Sequence, residues 1–157
     1  MKLAILVVGK TVAPFLKEGI DVYLKRLPHY IPTEYITIQD LKQTKKLSIE
    51  QIKKAEGELI LKQSEKVDLL ILMDERGKQF TSKKLALHLQ QKMNAGTRTL
   101  GIVIGGAYGF SEDVYAKAQE KWSLSNLTFS HQMVRLFLLE QLYRSFTILK
   151  GEPYHHE

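Results

Sequence analysis

At 157 residues the chain is long enough for one domain, residues 1–157, with a sizeable core. Its 23 Lys and Arg against 17 Asp and Glu leave a net charge of +6, which favours an anionic partner, nucleic acid above all, without requiring one. The absence of cysteine excludes disulfides, thiol nucleophiles and cysteine-based metal sites, and it fits a reducing compartment.

The opening MKLAILVVGK has an apolar stretch, residues 3–8, too short for the core of a signal peptide and followed by Gly9-Lys10 with no small-residue cleavage site. It reads as a strand buried on both faces, as in a covered parallel sheet. No run approaches the length needed to cross a membrane, so the expected location is cytoplasmic. Residues 12–27 carry Phe15, Leu16, Ile20, Tyr23, Leu24 and Leu27 at helical spacing, with Pro28 as the stop. Residues 34–38 form a short strand, with Tyr35 and Ile36 as strand formers. Residues 40–47 are polar and lysine-rich (Lys42, Lys45, Lys46), either a solvated basic loop or an arm that contacts phosphate. Ser48 and Gln51 make a capping box that opens a helix to about Lys66. Residues 67–73 are a second buried strand, followed by Asp74, Glu75 and a turn at Gly77. Thr81 or Ser82 caps the next helix, which Gly96 ends. Residues 99–104 form a third buried strand. Ser111 caps a short helix over residues 112–118, residues 122–128 are a short strand or extended loop, and Ser130 or His131 starts a final helix to Lys150. Strands alternate with helices, which predicts a largely parallel α/β sheet with helices on both faces.

The final helix is apolar nearly all round. Leu136, Leu138, Leu139, Leu142, Tyr143, Phe146 and Leu149 fill one arc, while Met133, Val134, Phe137 and Ile148 fall mostly opposite. Such a helix is buried on two sides. It is either a central core helix or one face of a homodimer, and the dimer is the expected arrangement.

The sharpest local signal is TLGIVIGGAYGF, residues 99–110, an apolar strand that stops at Gly105-Gly106 with Gly109 beyond. Ligands of open α/β sheets sit outside the carboxyl ends of the strands, and glycine lets the backbone approach them. No Gly-Lys-Ser/Thr follows, so it is not a P-loop, and the spacing is not that of a dinucleotide fingerprint. Main-chain groups at close range suit adenine or ribose as well as phosphate. Substituting Gly105→Val is expected to abolish ligand binding and leave the fold intact. Arg135 lies in the first turn of the last helix, within its apolar arc, and a cation there calls for an anionic partner. That partner is either a carboxylate, such as Glu140 of a second subunit, or an RNA phosphate. Arg144 is four residues from Glu140, a pairing that can be purely local. In the tail PYHHE the adjacent histidines have no further clear ligands, so no metal is expected. Tyr154 and His155 suit stacking on a base and moving a proton near neutral pH. His131 is either a helix cap or a site edge.

Taken together, KLAILVVGK, the segment 23–27, VIGGAYG, SLSNLTFSHQMVRLFLLEQLYRSF and the GEPYHHE tail resemble the RlmH family over essentially the whole chain. These are small SPOUT-class methyltransferases that use S-adenosyl-L-methionine on a pseudouridine of 23S ribosomal RNA. The resemblance implies a parallel sheet with a trefoil knot near the C-terminus and a homodimer across the knotted helices. It also implies N3 methylation of a pseudouridine in ribosomal RNA, no metal and no membrane. Carried over by position, Met73, Gly105, Leu124, Ser125, Asn126, Leu127, Thr128 and Phe129 are the implied cofactor residues. Ser130 stands where the family has proline, which bears on the local loop shape. Arg135, Arg144, Tyr154 and His155 match the family's RNA-side positions and are the candidates for substrate binding and proton handling. A non-catalytic RNA-binding module, or an enzyme with another adenine cofactor, are the rival readings.

Overall fold

A computed structural model describes residues 1–42 and 44–155. His156 and Glu157, the end of the tail named above, and Gln43 of the lysine-rich loop lie outside the described residues. Five parallel strands form one sheet in the order β2-β1-β4-β3-β5. In chain order the elements are β1 (Lys2–Val8), α1 (Pro14–Arg26), β2 (Thr33–Ile38), α2 (Ile49–Gln63), β3 (Leu69–Gln79), α3 (Ser82–Asn94), β4 (Thr99–Ile104), α4 (Glu112–Lys117), β5 (Glu120–Ser123) and α5 (His131–Lys150).

The strand order follows from handedness. Parallel crossovers are right-handed, so helices whose connections travel one way along the sheet share one face and those travelling back share the other. The connections β1 to β2 and β3 to β4 run in one direction, and α1 and α3 lie on one face, where Ile20, Leu85 and Leu89 belong to one core cluster. The connections β2 to β3 and β4 to β5 run the other way, and α2 and α4 cover the second face with Ile60 and Val114. Helix α5 joins the α1 and α3 face through Leu138, Leu139, Leu142 and Phe146. Strand β1 and β4, buried along almost their whole lengths, form the middle of the sheet, as expected for runs apolar on both faces.

Local signals explain most boundaries. The capping box at Ser48 and Gln51 is formed on both sides. Thr81 Oγ1 accepts from the Lys84 N–H. Ser111 occupies the N-cap of α4 without a side-chain capping bond. Gly151 adopts a left-handed conformation (φ 68°) and closes α5, with the Glu152 N–H reaching the Thr147 carbonyl at 3.0 Å. Pro28 does not simply stop α1. It sits inside a 3-10 turn over Leu27–His29.

The turn expected at Gly77 is instead an excursion within β3. Met73 and Lys78 both register against Trp122, so Asp74, Glu75, Arg76 and Gly77 swing out and pairing with β5 then resumes. Gly77 permits this because a Cβ there would lie 2.5 Å from the Trp122 backbone. The excursion places three charged side chains over the carboxyl end of the sheet.

Strand β5 is anchored at its start by Glu120, whose carboxylate accepts from Trp122 Nε1 (2.8 Å), His88 Nε2 (2.7 Å) and Lys92 Nζ. Burial alone would raise its pKa, but the Lys92, His88 and Trp122 donors outweigh it and hold the group at about 2. A carboxyl depressed in the folded state stabilises above its unfolded value and loses that contribution as pH falls through the folded one. Glu120→Gln is therefore expected to flatten the acid limb of the stability curve between about pH 4.5 and pH 2, as read by denaturant unfolding at a series of pH values. An unchanged acid limb would remove Glu120 as the anchor of β5.

Candidate active site

Strands β3 and β4 lead into helices on opposite faces, so their outgoing loops part and leave a crevice at the carboxyl edge. A cavity of about 750 Å³ opens there. Its floor is Met73 of β3, Ile104 of β4 with the Gly105 that follows it, and Trp122 and Ser123 of β5. One wall is the glycine turn through Tyr108 and Gly109, and the other is the loop 124–130, which returns from β5 to α5. Gly109 has a positive φ of 80°, which lets the turn double back over the cavity.

The cofactor residues implied by resemblance gather at this place. Met73, Gly105, Leu124, Ser125, Leu127, Thr128 and Phe129 all line the cavity. Asn126 is turned away, its Oδ1 accepting from Gln79 Nε2 at 2.6 Å, so it braces the loop against β3. The loop is further held by the Ser123 hydroxyl donating to the Ser125 carbonyl and by Ser125 Oγ accepting from the Leu127 N–H. Ser130 takes up the N-cap of α5, its Oγ accepting from the Met133 N–H at 3.3 Å. The hydroxyl supplies a capping acceptor that proline lacks.

Gly105 needs one correction. A Cβ there would lie 2.9 Å from Phe110, which is 3% exposed and part of the core beneath α2 and α4. Gly105→Val therefore disturbs the core as well as the cavity, and the expectation of an intact fold does not hold.

Two groups beside the cavity, Asp74 and Tyr115, were not singled out as site residues in the sequence. Asp74, its side chain 7% exposed, accepts from the Tyr115 hydroxyl (2.5 Å) and the Arg76 N–H (2.8 Å). Burial pushes its pKa up, but these donors and the Arg76 and Lys121 charges pull it below the ordinary value, so an anion stands at the rim. Only the fold brings Tyr115 of α4 to Asp74 of β3. His131, left open between helix cap and site edge, lies on the cavity wall. Burial and the nearby Arg135 charge lower its pKa and outweigh Asp40, which raises it, so the imidazole is neutral at pH 7.

Arg135 has a different environment from the anionic one expected. It is 0% exposed, with Nη1 donating to the Gly9 carbonyl (2.9 Å) and Thr11 Oγ1 (3.0 Å), and Nη2 donating to the Val8 carbonyl (2.6 Å). Its partners are the main-chain carbonyls at the carboxyl end of β1. One turn earlier, Gln132 accepts from the Val12 N–H and donates to the Lys10 carbonyl. The first turn of α5 thus grips the whole β1–α1 loop.

Arg144, Tyr154 and His155 form a second group. At 1.5 Å per residue, Arg144 lies about 15 Å along α5 from Val134, which lines the cavity. Arg144 donates to Glu140 Oε1 through Nε (3.0 Å) and Nη2 (2.5 Å), so the local pairing is formed within one chain. Tyr154 donates to the same carboxylate (3.1 Å) and packs against Tyr143 and the Arg144 guanidinium. Burial, then the Tyr23 hydroxyl and the Glu140 charge, raise the Tyr154 pKa, so the phenol stays protonated. Arg144 Nη1 lies 3.3 Å from His155 Nδ1, and since a guanidinium only donates, Nδ1 accepts and the ring proton sits on Nε2. Among the described residues no group of three or more His, Cys, Asp or Glu is placed to hold a metal ion.

Comparison with known proteins agrees with this architecture. The family model "Predicted SPOUT methyltransferase" matches residues 1–155. The chain is 53% identical over 157 residues to the Ribosomal RNA large subunit methyltransferase H of Parabacteroides distasonis and 55% identical over 157 residues to that of Flavobacterium johnsoniae, covering 100% of both chains in each case. Among solved structures it superposes on a "probable methylase family protein" from Haemophilus influenzae (TM-score 0.56, 12% identity, 99% of this chain and 70% of that one). It also superposes on a "Probable Methyltransferase" from Bordetella pertussis (TM-score 0.57, 8% identity, 92% and 96%). At these identities the structural likeness speaks for the fold alone.

If Arg135 is a structural clamp, Arg135→Met should cost about 1–3 kcal/mol for each of the two buried carbonyls it strands, in denaturant unfolding. Unchanged stability combined with lost RNA binding would return it to the RNA side. The sheet order, the cavity at its carboxyl edge and the full-length matches agree, and the chain belongs to the SPOUT methyltransferases, within the RlmH family.

Proposed function

We propose that this chain is an S-adenosyl-L-methionine-dependent enzyme that methylates N3 of a pseudouridine in 23S ribosomal RNA, acting in the cytoplasm on the ribosome. The observation that carries the reading is the coincidence of the large carboxyl-edge cavity with the residues that match the RlmH cofactor loop, in a chain whose full-length relatives bear the name Ribosomal RNA large subunit methyltransferase H.

The cavity suits this cofactor. Its volume accommodates a nucleoside with an amino-acid tail. The glycine turn brings main-chain donors and acceptors close to an adenine, Met73, Leu124, Leu127 and Phe129 supply apolar walls, and Asp74 offers a carboxylate toward a cationic ligand. When bound, S-adenosylmethionine supplies a methyl group already activated by its sulfonium. The protein's own work is to align the acceptor nitrogen with that methyl and to stabilise the loss of one imide proton. His155, with its proton on Nε2, serves as the donor to the developing anion, and Tyr154, whose hydroxyl donates to Glu140, steadies the Glu140–Arg144 pair beside it. His131, neutral and on the cavity wall, is the residue suited to accept the proton.

In one chain these groups do not meet. Helix α5 begins at the carboxyl edge, where Arg135 holds β1, and ends at the opposite edge, where Tyr154 is seated by Tyr23 and Glu140. A two-fold dimer with antiparallel α5 helices brings the tail of one subunit to the cavity of the other. Exposed apolar side chains around the start of α5 support such an interface: Val12 (74%), Phe15 (63%), Leu127 (72%) and Phe137 (37%). The knot is part of the same reading. It is supported by α5 packing between α1 and α3 although the chain reaches it from β5, at the sheet edge beside β3.

Labelled-methyl transfer to 70S particles, separate subunits and free RNA, followed by nucleoside mass spectrometry, should yield N3-methylpseudouridine. Binding to ribosomes with no methyl transfer would mean a non-catalytic module. The single tryptophan, Trp122, lines the cavity, so its fluorescence should titrate with S-adenosylmethionine. No response there and no calorimetric affinity would point to another cofactor. His155→Ala should lower the methylation rate about 10²-fold with cofactor binding unchanged, whereas a rate within about twofold of wild type would remove His155 from proton handling. Mixing a cavity-blocked subunit (Thr128→Phe) with a His155→Ala subunit should restore activity through heterodimers. No recovery would argue against a shared site.

A further inference from the structure

All five strands are parallel, so every loop leaving a carboxyl end lies on one edge of the sheet. That edge holds the cavity and also the β1–α1 and β2–α2 loops. The second of these carries Lys42, Lys45 and Lys46, and a 3-10 turn over Thr44–Lys46 presents the latter two to solvent. Lys10 is exposed in the first loop, and its N–H contacts Asp40 at the base of the second (3.4 Å), which ties the two together. Three strand spacings separate β3 from β2, about 14 Å.

At the carboxyl edge Lys10, Lys42, Lys45 and Lys46 make no ion pair with any described residue. Leaving four cations unpaired beside a cavity costs self-repulsion that an anionic partner relieves. The occupant that fits is a phosphate backbone, a row of negative charges of the same reach as the edge.

We propose that the β2–α2 loop is a phosphate-gripping arm that holds the RNA strand flanking the target nucleotide, with the strand running along the carboxyl edge from the cavity toward β2. This rests on the RNA-methyltransferase reading above. The arm positions substrate and takes no part in the chemistry.

The test is the triple variant Lys42→Gln/Lys45→Gln/Lys46→Gln, compared with wild type and with Lys62→Gln/Lys66→Gln at the far end of α2. Binding to ribosomal particles is measured across a salt series alongside methylation kinetics and the Trp122 titration with S-adenosylmethionine. The triple variant should lower the slope of log affinity against log salt by about 2–3 and raise KM for the particle at least about fivefold, with kcat and cofactor affinity unchanged. The Lys62/Lys66 variant should leave both at wild type. An unaltered slope and KM in the triple variant, or an equal effect in the control pair, overturns the arm. Wild-type protein that binds particles with this lysine-dependent slope but transfers no methyl would remove the enzymatic reading and leave the arm standing.

Discussion

A guanidinium that grips main-chain carbonyls rather than a carboxylate ties the end of this chain to its beginning. The strands of a parallel sheet finish with carbonyl groups that point past the last ladder bond, and β1 finishes in the middle of the sheet, where water does not reach. Arg135 satisfies two of those carbonyls and a threonine hydroxyl from a position with no exposed surface. Burial lowers its pKa, opposed by Tyr35 and Asp40, yet a guanidinium remains charged under any such shift. The clamp sets where α5 starts. That start sets the span of the loop 124–130, and the loop is one wall of the cavity.

The same clamp explains why a neutral imidazole stands at the cavity edge. His131 is one turn from Arg135 and shares its half-buried surroundings, so the fixed cation and the lost hydration both disfavour a second positive charge. Across the cavity the logic is reversed. Asp74 rides on the excursion of β3, where Tyr115 and the Arg76 N–H stabilise its charge. A neutral imidazole and a fixed anion thus face one space.

Much of the fold was legible because its signals are local. Buried parallel strands read as unbroken apolar runs, and the capping residues at Ser48 and Thr81 and the glycine at Gly151 mark helix ends by chemistry that operates within a few residues. The glycine turn pointed to the cavity for the same reason. The β3 excursion was hidden because Gly77 also fits an ordinary turn, and only the close passage of the Trp122 backbone shows why pairing resumes beyond it. The partners of Arg135 were hidden because a helical-wheel position tells which face a cation occupies but not whether an anion or a row of carbonyls waits there.

By itself the sequence determined the α/β class, the order of elements, the place of the ligand crevice and the family, since periodicity, caps and motif order are properties of neighbours along the chain. Tertiary structure alone decided which charges meet. It put Arg135 on the carbonyls of β1, Asp74 beside Tyr115, and Tyr154 on Glu140 at the end of α5 away from the cavity. Electrostatic partnership depends on distances of a few ångströms between residues up to 127 positions apart, and those distances exist only once the sheet and its crossovers are in place.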